Sequence, residues 1–243
     1  MVKAPGRLTA VVELMDLPGT DAGERARALR DLARFNRLFG GTRAILNHLA
    51  SLLPPPQTAP APSGGTPIRI LDVATGYGDI PRAIVRWARQ RGLHLQIEAL
   101  DHQDRIAELA ARASAAYPEI RIHVGDALKL PYTDERFDVA FASQVLHHME
   151  GEDQMRLLSE LYRVARRAAL VSDLRRGRWP FLVTWAGVHV ISRSRLIRHD
   201  GPLSIRRGFL GEELVRTARE AGWRRAKVSR HAYFRLVLVG RKD

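Results

Sequence analysis

Between residues 68 and 174 the chain alternates short apolar runs with longer amphipathic segments, and this alternation constrains the fold more than any other feature. Five strand-like runs are separated by segments with helical spacing of apolar residues. Connections of that length join parallel strands in a sheet that is covered by helices on both faces. Two further strand-like runs, 225–231 and 234–239, are separated by few residues and predict a terminal hairpin. The sequence therefore predicts an α/β fold.

The flanking regions divide the chain into candidate parts. Residues 1–53 show helical spacing and a capping pattern in which Asp21 precedes Glu24 by three residues, so we predict a helical N-terminal lid. Residues 54–66 are rich in proline, glycine and alanine and predict a linker to a main domain at 67–243. Within that domain, residues 175–207 form an insertion after the fifth strand, which we expect to act as a second lid.

Composition excludes several classes of protein. The chain has no cysteine, which rules out disulfides, thiolate metal sites and a cysteine nucleophile. No apolar run is long enough to span a bilayer or to form a secretory leader, so we expect a soluble, cytoplasmic protein. The net charge of +13 is concentrated in residues 151–243, which carry 21 basic and nine acidic residues. GC-rich coding explains an excess of arginine but not this asymmetry.

A glycine turn follows the first predicted strand in the sequence LDVATGYGD, residues 71–79. Gly76 and Gly78 let the backbone approach a ligand, and the helix beyond the turn favours negative charge at its start. Asp72, just before the turn, suits a ligand ammonium group or could orient the turn through its own hydrogen bonds. A dinucleotide fingerprint would need a third glycine where this chain has Pro81, so that ligand is disfavoured.

Acidic or small residues also follow the other predicted strands. Asp101 ends the second strand, where a carboxylate can accept hydrogen bonds from ribose hydroxyls, and Asp126 follows the third, where it could accept from an adenine amine. Ser143 ends the fourth strand. Any one of these could simply form a turn. Because the carboxyl ends of parallel strands share one edge, four such ends together favour a nucleoside site.

These motifs resemble the class I S-adenosylmethionine-dependent methyltransferases, especially the small-molecule branch that includes quinone-biosynthesis enzymes. The resemblance is strong over residues 66–174 and rests on LDVATGYGD, ALDHQ, GDALKLPYTDERFDVAFASQVLHHM and RVARRAALVSDL. It implies a Rossmann-like, seven-stranded, mostly parallel sheet whose last strand is antiparallel. The chain departs from the family at Ala74, where many members have the first glycine of the turn.

The resemblance also implies how S-adenosyl-L-methionine would bind. Its methionine part would lie against Asp72, Ala74, Gly76 and Gly78. The ribose would be held by Asp101, with His102 beside it. Asp126 and Ala127 would contact the adenine, and Ser143 would lie near the sulfonium.

Histidines are the candidate proton acceptors for an acceptor hydroxyl, because their ordinary pKa is about 6.5. On a helix, the adjacent residues His147 and His148 would point roughly 100° apart, so both could not face one cleft. His147 shares a face with Ser143, whereas His148 matches a histidine that is frequent in the family and often structural. His199, in the variable insertion, is a third candidate. The spacing of histidines and carboxylates predicts no metal site.

The insertion at 175–207 combines eight arginines and one acid with an apolar, aromatic run. It could be a buried helix with a solvated basic rim. It could instead form an apolar wall for an aromatic or lipid-like substrate, with Trp179, Phe181 and Trp185 as stacking surfaces. Its arginines could also rest on an anionic membrane. Nucleic acid is disfavoured as a partner because no RNA-binding module is present.

The sequence therefore predicts methyl transfer to a hydroxyl of an apolar aromatic or polyketide-like small molecule. C-methylation of a quinone precursor is the nearest alternative. An RNA methyltransferase and a non-catalytic module that keeps the cofactor fold are further alternatives. The sequence identifies neither the acceptor nor the oligomeric state.

Overall fold

The computed structural model of the protein describes residues 6–9, 11–55 and 66–242. Most of the predicted linker therefore lies outside the described residues. Within these ranges the chain forms eight α-helices: α1 (Ala22–Leu38), α2 (Gly41–Leu52), α3 (Asp79–Arg89), α4 (Asp104–Ala113), α5 (Gly151–Val164), α6 (Arg178–Ile191), α7 (Arg195–Arg207) and α8 (Gly211–Glu220). The strands are β1 (Ile68–Val73), β2 (Leu95–Asp101), β3 (Ile120–Val124), β4 (Phe137–Ser143), β5 (Ala165–Leu174), β6 (Arg225–His231) and β7 (Arg235–Arg241).

All seven strands lie in one sheet with the order β3-β2-β1-β4-β5-β7-β6. Strands β1 to β5 pair in parallel, and β7 runs antiparallel to both of its neighbours. This arrangement confirms the predicted Rossmann-like α/β fold with an antiparallel last strand. The strand order reverses between β1 and β4. In open sheets of this kind, ligands bind beyond the carboxyl ends of the strands at that reversal.

Helices cover both faces of the sheet because successive strand residues point to opposite sides. Leu71 and Val171 lie in one apolar cluster with residues of α5 and α8. Ile70 and Leu170, their neighbours in sequence, lie in a second cluster with residues of α2 and α3. The central strands β1, β4 and β5 are buried on both faces, which fixes their register and thereby the positions of their carboxyl ends.

Of two predicted helix boundaries, the start of α1 is confirmed and the end of α5 is wrong. Asp21 caps α1, and its Oδ1 accepts a hydrogen bond from the Glu24 backbone N–H at 2.8 Å, as the sequence predicts. The amphipathic pattern of residues 152–167 predicts a helix over that whole range, but α5 ends at Val164 and β5 begins at Ala165. Ala165 already pairs with Phe137 of β4. Hydrogen bonds to the sheet there replace those of another helical turn.

The elements outside the sheet differ in their placement. Helix α2 belongs to the core, where Ile45 and Leu49 are buried against the sheet. Helix α1, the short turn at Leu14–Asp16 and α7 lie over the carboxyl edge, with a small apolar cluster that includes Ala28 and Ile197. The boundaries predicted for the two lids stay predictions.

Helix α6 is not the buried helix that the sequence allowed. Only Pro180 and Val188 are buried in it, whereas Trp179 is 74% and Trp185 50% exposed. The expectation of burial is wrong. Only the inner side of α6 packs, against α7, and the outer side of α6 faces solvent. None of the described helices has the length and apolar content needed to cross a bilayer.

Candidate active site

A cavity of about 600 Å³ opens at the carboxyl edge of the sheet, where the strand order reverses. Its two ends are built differently. The sheet end is formed by the turns that follow β1, β2 and β3. The lid end is formed by residues 13–16, residues 145–149 and α7. The two ends face each other across one space, which suits a reaction between two bound molecules.

At the sheet end, the turn after β1 presents backbone rather than bulky side chains. Gly76 and Gly78 have φ values of +55° and +67°, which L side chains rarely adopt. Ala74 has a φ of 59°, so it bears a strain of roughly 1–2 kcal/mol that a glycine there would avoid. The Gly76 N–H donates to Asp101 Oδ2 at 3.0 Å and ties the turn to the end of β2.

Three carboxylates surround this turn. Asp72 and Asp101 are 2% and 5% exposed, and Asp79 is half-buried. Burial raises the pKa of each carboxyl group. For Asp72, burial and the charges of Asp79 and Asp101 outweigh a hydrogen bond of 2.7 Å from the Thr75 hydroxyl. Such crowded, desolvated carboxylates favour a ligand that brings positive charge.

Most of the predicted cofactor residues meet at the sheet end. Eight of the nine line the cavity: Asp72, Ala74, Gly76, Asp101, His102, Asp126, Ala127 and Ser143. The Asp126 Oδ1 accepts a hydrogen bond from the Leu128 N–H at 2.8 Å, which fixes the turn after β3. The His102 ring is 71% exposed, and its Nδ1 lies 3.6 Å from Asp101 Oδ1.

Gly78 is the exception among the predicted cofactor residues. It is the N-cap of α3 and is not among the residues that line the cavity. A Cβ at this position would lie 3.2 Å from the Arg82 guanidinium and 3.3 Å from the Ser114 hydroxyl. Gly78 therefore shapes the turn from behind, and its direct contact with a cofactor stays a prediction.

At the lid end, His147 lies between two buried carboxylates. Its Nδ1 is 2.7 Å from Asp173 Oδ1, and its Nε2 is 3.6 Å from Glu13 Oε1. Burial alone would lower the pKa of His147, but Asp173 and Glu13 outweigh it and raise the pKa to about 9. The same contacts overcome burial at Glu13 and lower its pKa to about 2. At pH 7, His147 is therefore a cation.

His148 occupies a more open position in the same cavity. Its side chain is 27% exposed, its Nδ1 lies 2.7 Å from Asp16 Oδ2, and its Nε2 lies 3.8 Å from Glu13 Oε2. A neutral His148 that donates from Nδ1 to Asp16 has an Nε2 lone pair available to accept a proton.

The expectation that only one of these two histidines faces the cleft is wrong. His147 and His148 both line the cavity, and their ring centroids are 4.2 Å apart. They lie on a three-residue 3-10 turn, Leu146–His148, rather than on a regular α-helix, and both rings approach Glu13.

Helix α7 holds the segment that carries Glu13 and Asp16. The Asp200 carboxylate accepts hydrogen bonds from the Leu14 and Met15 N–H groups, each at 2.9 Å. The Ser204 hydroxyl donates to Glu13 Oε1 at 2.7 Å. Asp200, the single acid in residues 175–207, therefore holds residues 14 and 15 in place at the lid end.

Four residues of the insertion do not take the places that the sequence suggested. His199 is half-exposed, its Nδ1 lies 2.8 Å from Asp200 Oδ1, and it is not among the residues that line the cavity. Trp179, Phe181 and Trp185 do not line the cavity either, so the predicted stacking wall is wrong. On this side the cavity is lined by residues of α7, against which α6 packs.

Sequence reasoning missed most of the lid end. Glu13, Asp16 and Asp173 were not predicted. Asp173 had a detectable pattern, because it is the next-to-last residue of an apolar strand, as Asp72 is. Glu13 and Asp16 lie more than 130 residues before the histidines that they contact, and no local pattern indicates them.

Glu13, His147 and His148 also place candidate ligand atoms within 4.8 Å of one another, a spacing that a metal ion could use. The sequence predicted no metal, partly because it could not bring Glu13 to the histidines. That absence stays a prediction.

A sheet with this order, a glycine turn after β1 and carboxylates at the ends of β1 and β2 are typical of class I S-adenosylmethionine-dependent methyltransferases. Comparisons with known proteins agree. Residues 70–168 match the family model described as a methyltransferase domain. In a solved structure, an S-adenosylmethionine-dependent methyltransferase from Aquifex aeolicus, the fold is the same: the TM-score is 0.61 at 15% identity, over 89% of this chain and 97% of that one.

Two curated relatives are more similar in sequence. The demethylmenaquinone methyltransferase of Lactobacillus johnsonii is 35% identical over 97 residues, which cover 39% of this chain and 38% of that protein. The enzyme of the same name from Thermotoga maritima is 36% identical over 104 residues, 42% of this chain and 40% of that protein. The chain thus spans about two fifths of the length of these relatives. Over residues 70–168 the chain is similar to the methyltransferase domains of this class.

The residues at the sheet end fit S-adenosylmethionine, the methyl donor of this class. The donor carries a sulfonium and an ammonium group, and Asp72, Asp79 and Asp101 form the anionic surroundings that such charges require. Asp101 can hold the ribose, and the Gly76 backbone leaves room for close approach. When bound, the donor supplies an electrophilic methyl group.

Proposed function

We propose that the protein methylates a ring carbon of a hydroxylated, apolar aromatic molecule of the quinone-precursor type. The observation that carries this proposal is the His148–Asp16 pair, which faces the sheet end across a single cavity. A proton acceptor opposite a methyl donor suits an acceptor that becomes nucleophilic by losing a hydroxyl proton. The partial sequence similarity to demethylmenaquinone methyltransferases supports a ring carbon as the methylated atom.

His148 is the proposed base. Its Nε2 takes the hydroxyl proton of the acceptor, while Asp16 holds the ring and stabilises the imidazolium that forms. The electron pair left on the oxygen is shared with the ring carbon beside it. That carbon forms a bond to the methyl group as the bond between the methyl group and sulfur breaks. The ring proton is then lost to solvent, and the oxygen takes back the proton from His148, which restores both the aromatic hydroxyl and the neutral base.

His147 cannot take this role at pH 7, because it already carries its proton between Asp173 and Glu13. We propose that it positions the site. The Asp173 carboxylate accepts from both the Nδ1 and the backbone N–H of His147, the latter at 3.1 Å. His147 in turn holds Glu13 beside the Nε2 of His148, where the carboxylate stabilises positive charge on the base.

The lining of the lid end supports an apolar acceptor. Leu32 of α1 lines the cavity, and so do four apolar residues of the lid end: Met15, Val145, Met149 and Ile197. These groups exclude water from the reacting atoms and bind the apolar part of the acceptor.

Methylation of the hydroxyl oxygen itself is the second candidate, since the same base serves it. Two acceptors separate the two reactions: a naphthoquinol with an unsubstituted carbon beside a hydroxyl, and a matched naphthoquinol whose ring carbons are all substituted. We expect a C-methyl product from the first and none from the second, identified by mass spectrometry and proton NMR. Methoxyl products from both would establish O-methylation. Failure of both acceptors, with methyl incorporation into RNA instead, would overturn the proposal.

A further inference from the structure

The outer face of α6 is apolar and exposed. It comprises five large side chains that are between 47% and 86% exposed: Trp179, Leu182, Val183, Trp185 and Val190. At 100° per residue these five fall within an arc of about 160°. The other residues in that arc are Ala186, His189 and Arg178, so the only charged side chain on the face is that of Arg178 at the start of the helix.

Such a helix is unusual on a surface in contact with water. A helix that is apolar on its outer as well as its inner side is normally buried in a core or a membrane. Contiguous exposed apolar surface marks a binding face, since its transfer out of water stabilises a complex by about 25 cal/mol per Å².

The charges around α6 favour an anionic partner. Arg178 is exposed at the start of the helix, and Arg193, Arg195 and Arg198 are exposed just beyond its end. The only acid in residues 175–207 is Asp200, which is 3% exposed and occupied by backbone N–H groups. A second copy of the chain, docked face to face, would bring these arginines together, which costs free energy.

We infer that the outer face of α6 docks the protein on an anionic lipid bilayer. Tryptophans and arginines beside an apolar face are typical of helices that lie in the membrane interface. The 14 residues of α6 are too few to span a bilayer, so the helix would lie parallel to the membrane plane.

The position of α6 relates this surface to the cavity. Gly201 of α7 lines the cavity, and a Cβ at Gly201 would lie 3.1 Å from Val188 on the inner side of α6. A single helix therefore separates the docking face from the lid end. Docking would therefore hold the cavity close to a bilayer in which an apolar acceptor dissolves. The inference extends the proposed function but does not depend on it.

Vesicle flotation tests the inference with the full chain, without methyl donor or acceptor. The vesicles contain phosphatidylcholine alone or with phosphatidylglycerol. We expect binding to the anionic vesicles, weakened by salt because screening reduces the attraction. V190E and L182E should each weaken binding roughly tenfold or more, because a charge must then enter the bilayer interface. L38E is the matched control, since Leu38 is 57% exposed on α1 and receives the same charge.

The contrary outcomes are distinct. Failure of the native protein to float with anionic vesicles would overturn the inference, as would equal losses in L38E and V190E. Sedimentation that reveals a dimer, dissociated by V190E, would assign the face to a second copy of the chain. Circular dichroism verifies that each variant is folded. Because no methyl transfer is measured, the result stands apart from the outcome of the methylation assay.

Discussion

The two ends of the cavity are assembled from the chain in opposite ways. At the sheet end, Asp72 and Gly76 lie four residues apart, and Asp101 is the last residue of the adjacent strand. At the lid end, Glu13 meets His147 across 134 residues, and Asp200 holds residues 14 and 15 across 186 and 185 residues. The first arrangement follows from strand order, whereas the second depends on the packing of helices over the sheet.

This difference assigns different tasks to the two ends. The sheet end is attached to a sheet whose central strands β1 and β4 are buried on both faces, so its geometry is rigid and suits a donor common to a whole class. The lid end is held by side-chain hydrogen bonds between α7 and the N-terminal segment. Changes there can alter the acceptor without disturbing the donor. Variants at each end should therefore fail in different measurements.

The largest effect is expected at the glycine turn. Gly76→Val places a β-branched residue at a φ of +55°, where it is strained, and adds bulk against the bound donor. We expect binding of S-adenosylhomocysteine, the demethylated donor, to fall by more than about a hundredfold, or roughly 3 kcal/mol. Isothermal titration calorimetry measures this loss.

Gly222→Val is the matched control for that variant. Gly222 has a φ of +89° with no atom near its missing Cβ, so valine there brings comparable strain far from the cavity. We expect lower stability with unchanged affinity. Equal loss of affinity in both variants would show that strain alone, and not the site, explains the result.

The largest effect on turnover, as distinct from donor binding, is expected at the lid end. His148→Gln removes the proposed base but keeps a polar side chain, and it should lower kcat by about 10²–10⁴. Affinity for S-adenosylhomocysteine should stay within about twofold of the native value, since His148 does not contact the glycine turn. His123→Gln is the control. His123 lies on the exposed edge strand β3, pairs with Glu98 of β2, and does not line the cavity. A normal kcat in His148→Gln would contradict the proposed role.

The fold could be predicted from the sequence because its determinants are local. Apolar runs such as Ile68–Val73 mark strands buried on both faces, and crossover connections make them parallel. The error at α5 arose where helix passes directly into strand at Ala165, without a glycine or proline to mark the boundary. The exposure of α6 escaped prediction for a different reason: apolar content predicts burial, but only packing shows which partner is present.

The site could be predicted in part. Asp72, Asp101 and Asp126 follow strands, and parallel strands bring their ends together regardless of the helices between them. Asp16 ends a three-residue turn, and Glu13 is the residue just before that turn. Neither lies in a periodic pattern that could identify it. His199 was chosen for its place in a variable segment, which carries no information on which way a side chain points.

A smaller effect is expected from Asp101→Asn. Asparagine can still accept from the Gly76 N–H through its side-chain oxygen, but it removes a buried negative charge from the donor's surroundings. Hydrogen bonds to charged groups contribute about 1.5–3 kcal/mol, so we expect a loss of roughly 10- to 100-fold in donor affinity by calorimetry. Asp126→Asn should cost less, because its carboxylate is less buried than that of Asp101. A larger loss of donor affinity in Asp126→Asn than in Asp101→Asn would contradict this ranking of the two carboxylates.

The pH dependence of stability should report His147. Its pKa is about 9 in the folded protein, above the ordinary value of 6.5. A raised pKa stabilises the fold fully below pH 6.5, and this contribution is lost as pH rises through about 9. We expect the free energy of unfolding to fall by roughly 3 kcal/mol between pH 7 and pH 10, measured by urea titration. His147→Gln should flatten that decrease. If the variant does not fold, NMR titration of the native imidazole still tests the pKa.

The smallest effect is expected from metal removal. This experiment tests whether a proton or a metal ion lies between Glu13 and the two histidines. Each Nδ1 is committed to a carboxylate, so both Nε2 atoms and Glu13 share one space that either a proton or a metal ion could occupy. In the metal-free site, Asp173 and Glu13 raise the pKa of His147 to about 9, so at pH 7 its proton competes with a metal ion for this space. We therefore expect EDTA to leave the methylation rate unchanged, whereas excess Zn²⁺ should inhibit by binding His148. Loss of activity with EDTA, restored by a divalent ion, would instead make the lid end a metal centre and remove His148 from its role as base.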